Sequence, residues 1–119
     1  MQPNFRSLFN FASNEVKAAF AVAQPTGFMR GLKLIKAPAA EGQTHGKLLV
    51  ITARASGKAH QRNLLRRRAK AIFYEEKLYQ EPAIWILLTN KRAIGISFDT
   101  VKAFLLKSTQ PKPFQPSHE

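Results

Sequence analysis

The residues best suited to chemistry lie in one segment, KAHQRNLLRRRAK, at positions 58–70. The segment contains six Lys or Arg residues and no Asp or Glu. Arginine binds phosphate oxygens through paired hydrogen bonds, and Asn and Gln side chains bond riboses and base edges. This mixture is typical of a surface that binds structured RNA or DNA. The alternative is a solvated basic face that only keeps the protein in solution.

The periodicity of this region predicts a helix with two faces, from Lys58 to about Tyr79, which Ser56 could cap. The apolar stripe that should face the core contains Leu65, Ala69, Ile72 and Phe73. The basic face contains Arg62, Asn63, Arg66, Arg67 and Lys70. Like charges four residues apart cost about 0.2–0.5 kcal/mol per pair, and none of these has an acid one turn away. The charges are therefore not placed to stabilise the helix, which favours a role in binding phosphate.

The composition of the whole chain points to the same class of partner. Its 119 residues and 45% hydrophobic content fit one compact domain. Nineteen Lys and Arg against seven Asp and Glu give a net charge of +12. Such a balance favours polyanions by long-range attraction and counterion release, nucleic acid first and an anionic membrane or acidic protein second. No obligate protein partner is evident.

Several other classes of function are disfavoured. The chain has no Cys, and its three His are scattered, so neither a disulfide framework nor a zinc site is indicated. We find no secretory signal, and no segment approaches the roughly 18 apolar residues that span a bilayer. A cytoplasmic location is the simplest interpretation. The sequence has few acids and no Gly-rich phosphate loop, so we find no set of residues with the pattern of a catalytic site.

The coarse layout predicts an α+β fold, with helices packed on a small sheet. The predicted order is helix 14–22 with Ser13 as N-cap, strand 30–36, strand 47–54, the basic helix, strand 83–89 with Trp85 in the core, and helix 98–107 with Ser97 as N-cap. The short connection between the first two strands favours an antiparallel hairpin. Residues 1–12 could pack on the domain or stay apart from it. We predict one RNA-binding domain over residues 1–108 and a Pro-rich disordered tail over 109–119.

The stretch GKAHQRNLLRRRAKAIF, residues 57–73, resembles the signature of the bacterial ribonuclease P protein component. The matching residues, in order and spacing, are Gly57, Ala59, Arg62, Asn63, Arg66 and Arg67. The likeness extends more weakly over most of the chain. It departs from the signature at Leu64, where a third Arg is expected, and at Lys70 and Ala71, where an Arg-Glu pair is usual.

The resemblance implies a subunit that binds RNase P RNA and holds the 5′ leader of precursor tRNA. The RNA, with magnesium, would carry out the hydrolysis. The implied RNA contacts are Arg54, Lys58, His60, Gln61, Arg62, Asn63, Arg66, Arg67 and Lys70. The implied leader cleft, between the first helix and the sheet, contains Val16, Phe20 and Leu34, with Val16 and Leu34 where an aromatic residue is expected. The resemblance also implies a mixed sheet with a left-handed β-α-β crossover through the basic helix.

Two other classes of function stay open at this point. A general RNA- or DNA-binding module, such as a ribosome-associated protein, would share the charge but not the ordered signature. A basic membrane-surface or protein-interaction domain would present Leu and Phe beside its cations, whereas here the apolar stripe is needed for the core.

Overall fold

The computed structural model describes residues 3–54 and 57–110 of the chain. The elements, in chain order, are α1 Ser13–Val22, β1 Gln24–Met29, β2 Leu32–Pro38, β3 Lys47–Thr52, α2 Ala59–Glu75, β4 Ala83–Thr89 and α3 Phe98–Thr109. Short 3₁₀ turns lie at Phe5–Leu8, Leu78–Gln80 and Lys91–Ala93. The predicted α+β class is confirmed, with one strand more than the sequence pattern indicated.

The sheet is mixed, with strand order β1-β2-β4-β3. β2 is antiparallel to both β1 and β4, whereas β3 is parallel to β4. β4 has the near-continuous apolar sequence AIWILLT because it lies between two strands and is covered on both faces. α2 connects the parallel strands β3 and β4, as a β-α-β unit requires; the handedness of this crossover stays a prediction.

Two strand predictions were wrong. The hairpin between β2 and β3 does not form, because β4 lies between them. β1 was missed because Pro25 and Gly27 indicate a turn. In the structure β1 is an edge strand, where a proline costs no ladder hydrogen bond, and a register irregularity lies between Pro25 and Gly27. Gly27 is required by packing, since a Cβ there would lie 1.9 Å from the Ser108 Oγ of α3.

The two faces of the sheet carry separate apolar clusters. The larger cluster packs under α2 and α3 and includes Leu34, Leu48 and the buried Trp85. The smaller cluster, under α1, includes Ala19, Ile35 and Ile86. Because side chains alternate along a strand, neighbours such as Leu34 and Ile35 lie on opposite faces. The predicted core position of Trp85 is confirmed.

The N-terminal segment packs on the domain, which settles a question that the sequence left open. Leu8 is buried in the larger cluster. The rings of Phe9 and Phe73 lie 5.9 Å apart, and those of Phe5 and Tyr74 lie 5.1 Å apart, both edge to face. This segment therefore covers part of α2.

The helix ends agree with the sequence prediction in part. Ser97 caps α3 by accepting a hydrogen bond from the Thr100 N–H, as predicted. The N-cap of α1 is Ala12 and not Ser13. α2 ends at Glu75 and not near Tyr79, since Lys77 adopts a left-handed conformation with φ 56°. The N-cap of α2 is Lys58, whereas the sequence suggested Ser56, which itself lies outside the described residues. Most of the predicted tail, residues 111–119, also lies outside them, so its disorder stays a prediction.

Candidate nucleic-acid interface

The apolar stripe of α2 fixes which side chains reach the surface. Leu65, Ala69, Ile72 and Phe73 are all buried, as the periodicity predicted. The remaining polar residues are therefore turned away from the core. We call the following set the α2 basic face: Lys58, His60, Arg62, Asn63, Arg66, Arg67 and Lys70.

Side chains of the first turn of α2 form hydrogen bonds with the backbone at the start of the helix. The Gln61 Oε1 accepts a hydrogen bond from the Lys58 N–H at 2.8 Å. Gly57 has φ +116°, a left-handed conformation that favours glycine, and a Cβ there would also displace the Gln61 Oε1, which would lie 2.6 Å away. The Arg62 Nη1 donates to the Gly57 carbonyl at 2.9 Å and to the Arg54 carbonyl at 3.3 Å. These bonds join the end of β3 to α2 and give a physical reason for Gly57 and Arg62 of the motif.

Arg66 is held in place by two partners. Its Nη2 donates to the Thr52 hydroxyl of β3 at 2.6 Å, and its Nη1 donates to the Asn63 Oδ1 at 2.8 Å. Both Arg62 and Arg66 are half-buried. As the spacing predicted, no acid one turn away on α2 pairs with these cations; within the helix Arg66 bonds only to Asn63, and Arg62 bonds to carbonyls that precede the helix. No described carboxylate pairs with either guanidinium, and each has donors left over for a phosphate.

The centre of the α2 basic face forms a shallow depression of about 470 Å³. Its lining residues are His60, Asn63, Arg66, Arg67 and Lys70. His60 and Arg67 are exposed, whereas Lys70 is half-buried, with its Nζ 5.6 Å from the centre of the Phe9 ring. Five polar side chains that were predicted as contacts thus border one cavity. Two further predicted contacts are also exposed: Lys58 is the N-cap of α2, and Arg54 lies two residues after the end of β3.

The α2 basic face lacks neutralising carboxylates. Within residues 3–54 and 57–110, ion pairs join Lys36 with Glu81, Lys47 with Glu15, and Lys102 with Glu76. None of these cations belongs to α2. The positive charge of the face is therefore available to an external anion.

The three residues of the predicted leader cleft do not lie on one surface. Val16 is half-buried and Phe20 is 43% exposed on α1. Leu34 was assigned to the wrong side of the sheet: it is 0% exposed and packs in the cluster under α2 and α3. The alternation of side chains along β2 instead places Ile35 toward α1.

Other residues share the sheet face beside α1. Leu49, Ile51 and Leu88 are half-buried there, at the margin of the smaller cluster. We call this surface, with Val16 and Phe20, the α1 cleft. The sequence did not predict these three strand residues. KLLVIT and AIWILLT are apolar on both faces, and which face lies beside α1 depends on the neighbouring elements.

One cation at the α1 cleft, Lys47, already forms an ion pair within the chain. The Lys47 Nζ lies 2.9 Å from the Glu15 Oε2 and 4.4 Å from the centre of the Phe11 ring. The side chains of Lys47 and Glu15 are only 16% and 23% exposed. Glu15 also accepts a hydrogen bond from the Ala12 N–H and so supports the start of α1. Lys47 is thus a structural cation before any ligand arrives.

The described residues offer no metal site of their own. Across residues 3–54 and 57–110, no group of three or more His, Asp or Glu is placed to hold a metal ion. In the same part of the chain, no helix combines the length and the apolar character needed to cross a bilayer.

Comparison with known proteins identifies the relatives of the chain. A family model described as Ribonuclease P matches residues 5–110. No curated protein sequence matches significantly. The fold is similar to that of the RNase P protein of Staphylococcus aureus, with a TM-score of 0.72, 13% identity, and 83% of this chain and 89% of that chain covered. It is also similar to the RNase P protein of Thermotoga maritima, with a TM-score of 0.66, 18% identity, and 89% and 92% covered.

Proposed function

The chain belongs to the ribonuclease P protein family, and we propose that it binds RNase P RNA through the α2 basic face and holds the 5′ leader of precursor tRNA in the α1 cleft. It is thus a subunit of the RNase P ribonucleoprotein. The observation that carries the proposal is the uncompensated charge of α2. Arg62 and Arg66 are positioned by neutral acceptors of the chain, and no described carboxylate pairs with them. Guanidiniums held in this way lose little further freedom when they bind phosphate.

The α1 cleft supports the second half of the proposal more modestly. Phe20 offers one exposed ring on which a base could stack, and Leu49, Ile51 and Leu88 offer an apolar floor. Val16 cannot stack in the same way. In this proposal, leader binding uses the Phe20 ring and cations of the same sheet face such as the exposed Lys33.

The protein acts in this proposal by binding and positioning. Within residues 3–54 and 57–110, no group of three or more His, Asp or Glu is placed to hold a metal ion. The hydrolysis is carried by the RNA, and the magnesium ions are held mainly by that RNA. The protein contributes by lowering the repulsion between two polyanions, which magnesium would otherwise have to screen.

The test is reconstitution with the cognate RNase P RNA and a precursor tRNA. The protein should increase the rate of leader removal at low magnesium, with a smaller effect at high magnesium. A protein that neither binds that RNA nor changes its cleavage rate would contradict the proposal. Binding of unrelated RNAs with equal affinity would instead support a general nucleic-acid-binding module.

A further inference from the structure

A second depression lies on the other flank of α2, between the helix and the loop that leads to α3. Its volume is about 230 Å³. The residues that border it include Gln61, Leu64, Leu65, Arg68, Ile94 and Ser97. Positions 64 and 68 are one helical turn apart and so lie on the same side of α2. Thr52 and Arg66 mark the opposite flank, beside β3.

Arg68 is the charged group of this depression. Its side chain is half-buried, and it forms no hydrogen bond or ion pair with the part of the chain that the structure describes. A guanidinium that is partly shielded from water attracts an anion more strongly than a fully solvated one. Arg68 thus differs from Arg62 and Arg66, which the chain itself holds.

Two aliphatic side chains of the depression are exposed to solvent beside Arg68. Leu64 is 38% exposed and Ile94 is 46% exposed, although both are large aliphatic residues. A cation beside exposed aliphatic side chains suits a nucleotide, with the phosphate on the guanidinium and the base against Leu64 and Ile94. The volume is below the roughly 300–1,000 Å³ of pockets for drug-sized ligands, which limits the occupant to a small group such as one nucleotide.

We propose that this depression is a second RNA-binding site of the chain, in which Arg68 binds a phosphate and Leu64 and Ile94 contact the attached nucleotide. The inference rests on the proposed function and extends the RNA-binding surface beyond the α2 basic face. An RNA that lies across α2 meets the α2 basic face first and reaches this site over the exposed Arg67. Because an α-helix with its side chains is only about 10–12 Å wide, one RNA can contact both flanks.

The test compares the affinity of RNase P RNA for wild type and four variants. Arg68→Ala should weaken binding about fivefold, the upper range for a partly exposed ion pair, and lower the salt slope by about one. Lys107→Ala, which removes an exposed charge of α3, should change affinity less than twofold. Leu64→Arg combined with Arg68→Ala should restore most of the loss, because position 64 borders the same depression.

The fourth variant, Arg66→Ala, separates the failure of this inference from that of the proposed function. If Arg66→Ala weakens binding while Arg68→Ala behaves like Lys107→Ala, the second site is refuted and the proposed function stands. If neither variant changes the affinity, the second site and the proposed function are both refuted. Sedimentation of the free protein completes the test: a change of oligomeric state in Arg68→Ala would assign the depression to a second copy of the chain and overturn the proposal.

Discussion

The α2 basic face and the α1 cleft both carry cations, but the chain uses these cations differently. On α2, Arg62 and Arg66 donate to a hydroxyl, an amide and carbonyls, which orient them and leave their charge uncompensated. In the α1 cleft, Lys47 is paired with Glu15 and lies over Phe11. The two surfaces therefore offer a nucleic acid different interactions. In the proposed function, the first surface binds phosphate strongly, whereas the second combines an apolar floor with weaker electrostatics.

The largest expected effect comes from removing the two arginines that the chain holds in place. Arg62→Ala with Arg66→Ala should weaken the binding of RNase P RNA about 100-fold, because each charged hydrogen-bonding group contributes about 1.5 kcal/mol. Equilibrium binding to the labelled RNA measures this. A matched loss of two exposed charges, Lys17→Ala with Lys107→Ala, should cost less than threefold.

Two companion variants sharpen that result. Arg62→Lys with Arg66→Lys keeps the charge but loses the paired hydrogen bonds, and should lie between the wild type and the Ala pair. Circular dichroism must show that all variants fold, since Arg62 also joins the end of β3 to α2. Equal losses in the Ala pair and the control pair would mean that net charge alone governs binding.

The smallest expected effect concerns the paired cation of the α1 cleft. Glu15→Gln keeps an acceptor for the Ala12 N–H but removes the charge that neutralises Lys47. The affinity for precursor tRNA with its leader should rise about twofold at low salt, with no change for leaderless tRNA. The control is Glu41→Gln, an equal change of charge at an exposed loop position. A rise that is the same for both variants, or for both tRNAs, would show that Lys47 does not contact the leader.

The sequence predicted α2 and its faces well, because the 3.6-residue period of Leu65, Ala69 and Ile72 is a local property. It also predicted β4 from an unbroken apolar run. It could not place β4 between β2 and β3, since strand order depends on contacts that are distant in sequence. The same limit explains the error at Leu34: which side of β2 faces α1 is decided by packing in three dimensions. The hydrogen bond from Arg66 to Thr52 joins two elements and had no local signal.

The salt dependence of RNA binding tests the central claim most directly, because each phosphate contact releases counterions. The slope of log affinity against log salt should be smaller in magnitude by about two for Arg62→Ala with Arg66→Ala than for the wild type. The control pair Lys17→Ala with Lys107→Ala should leave the slope unchanged. A slope that is unaffected by the loss of both arginines would contradict the account and would identify the α2 basic face as a solvated surface.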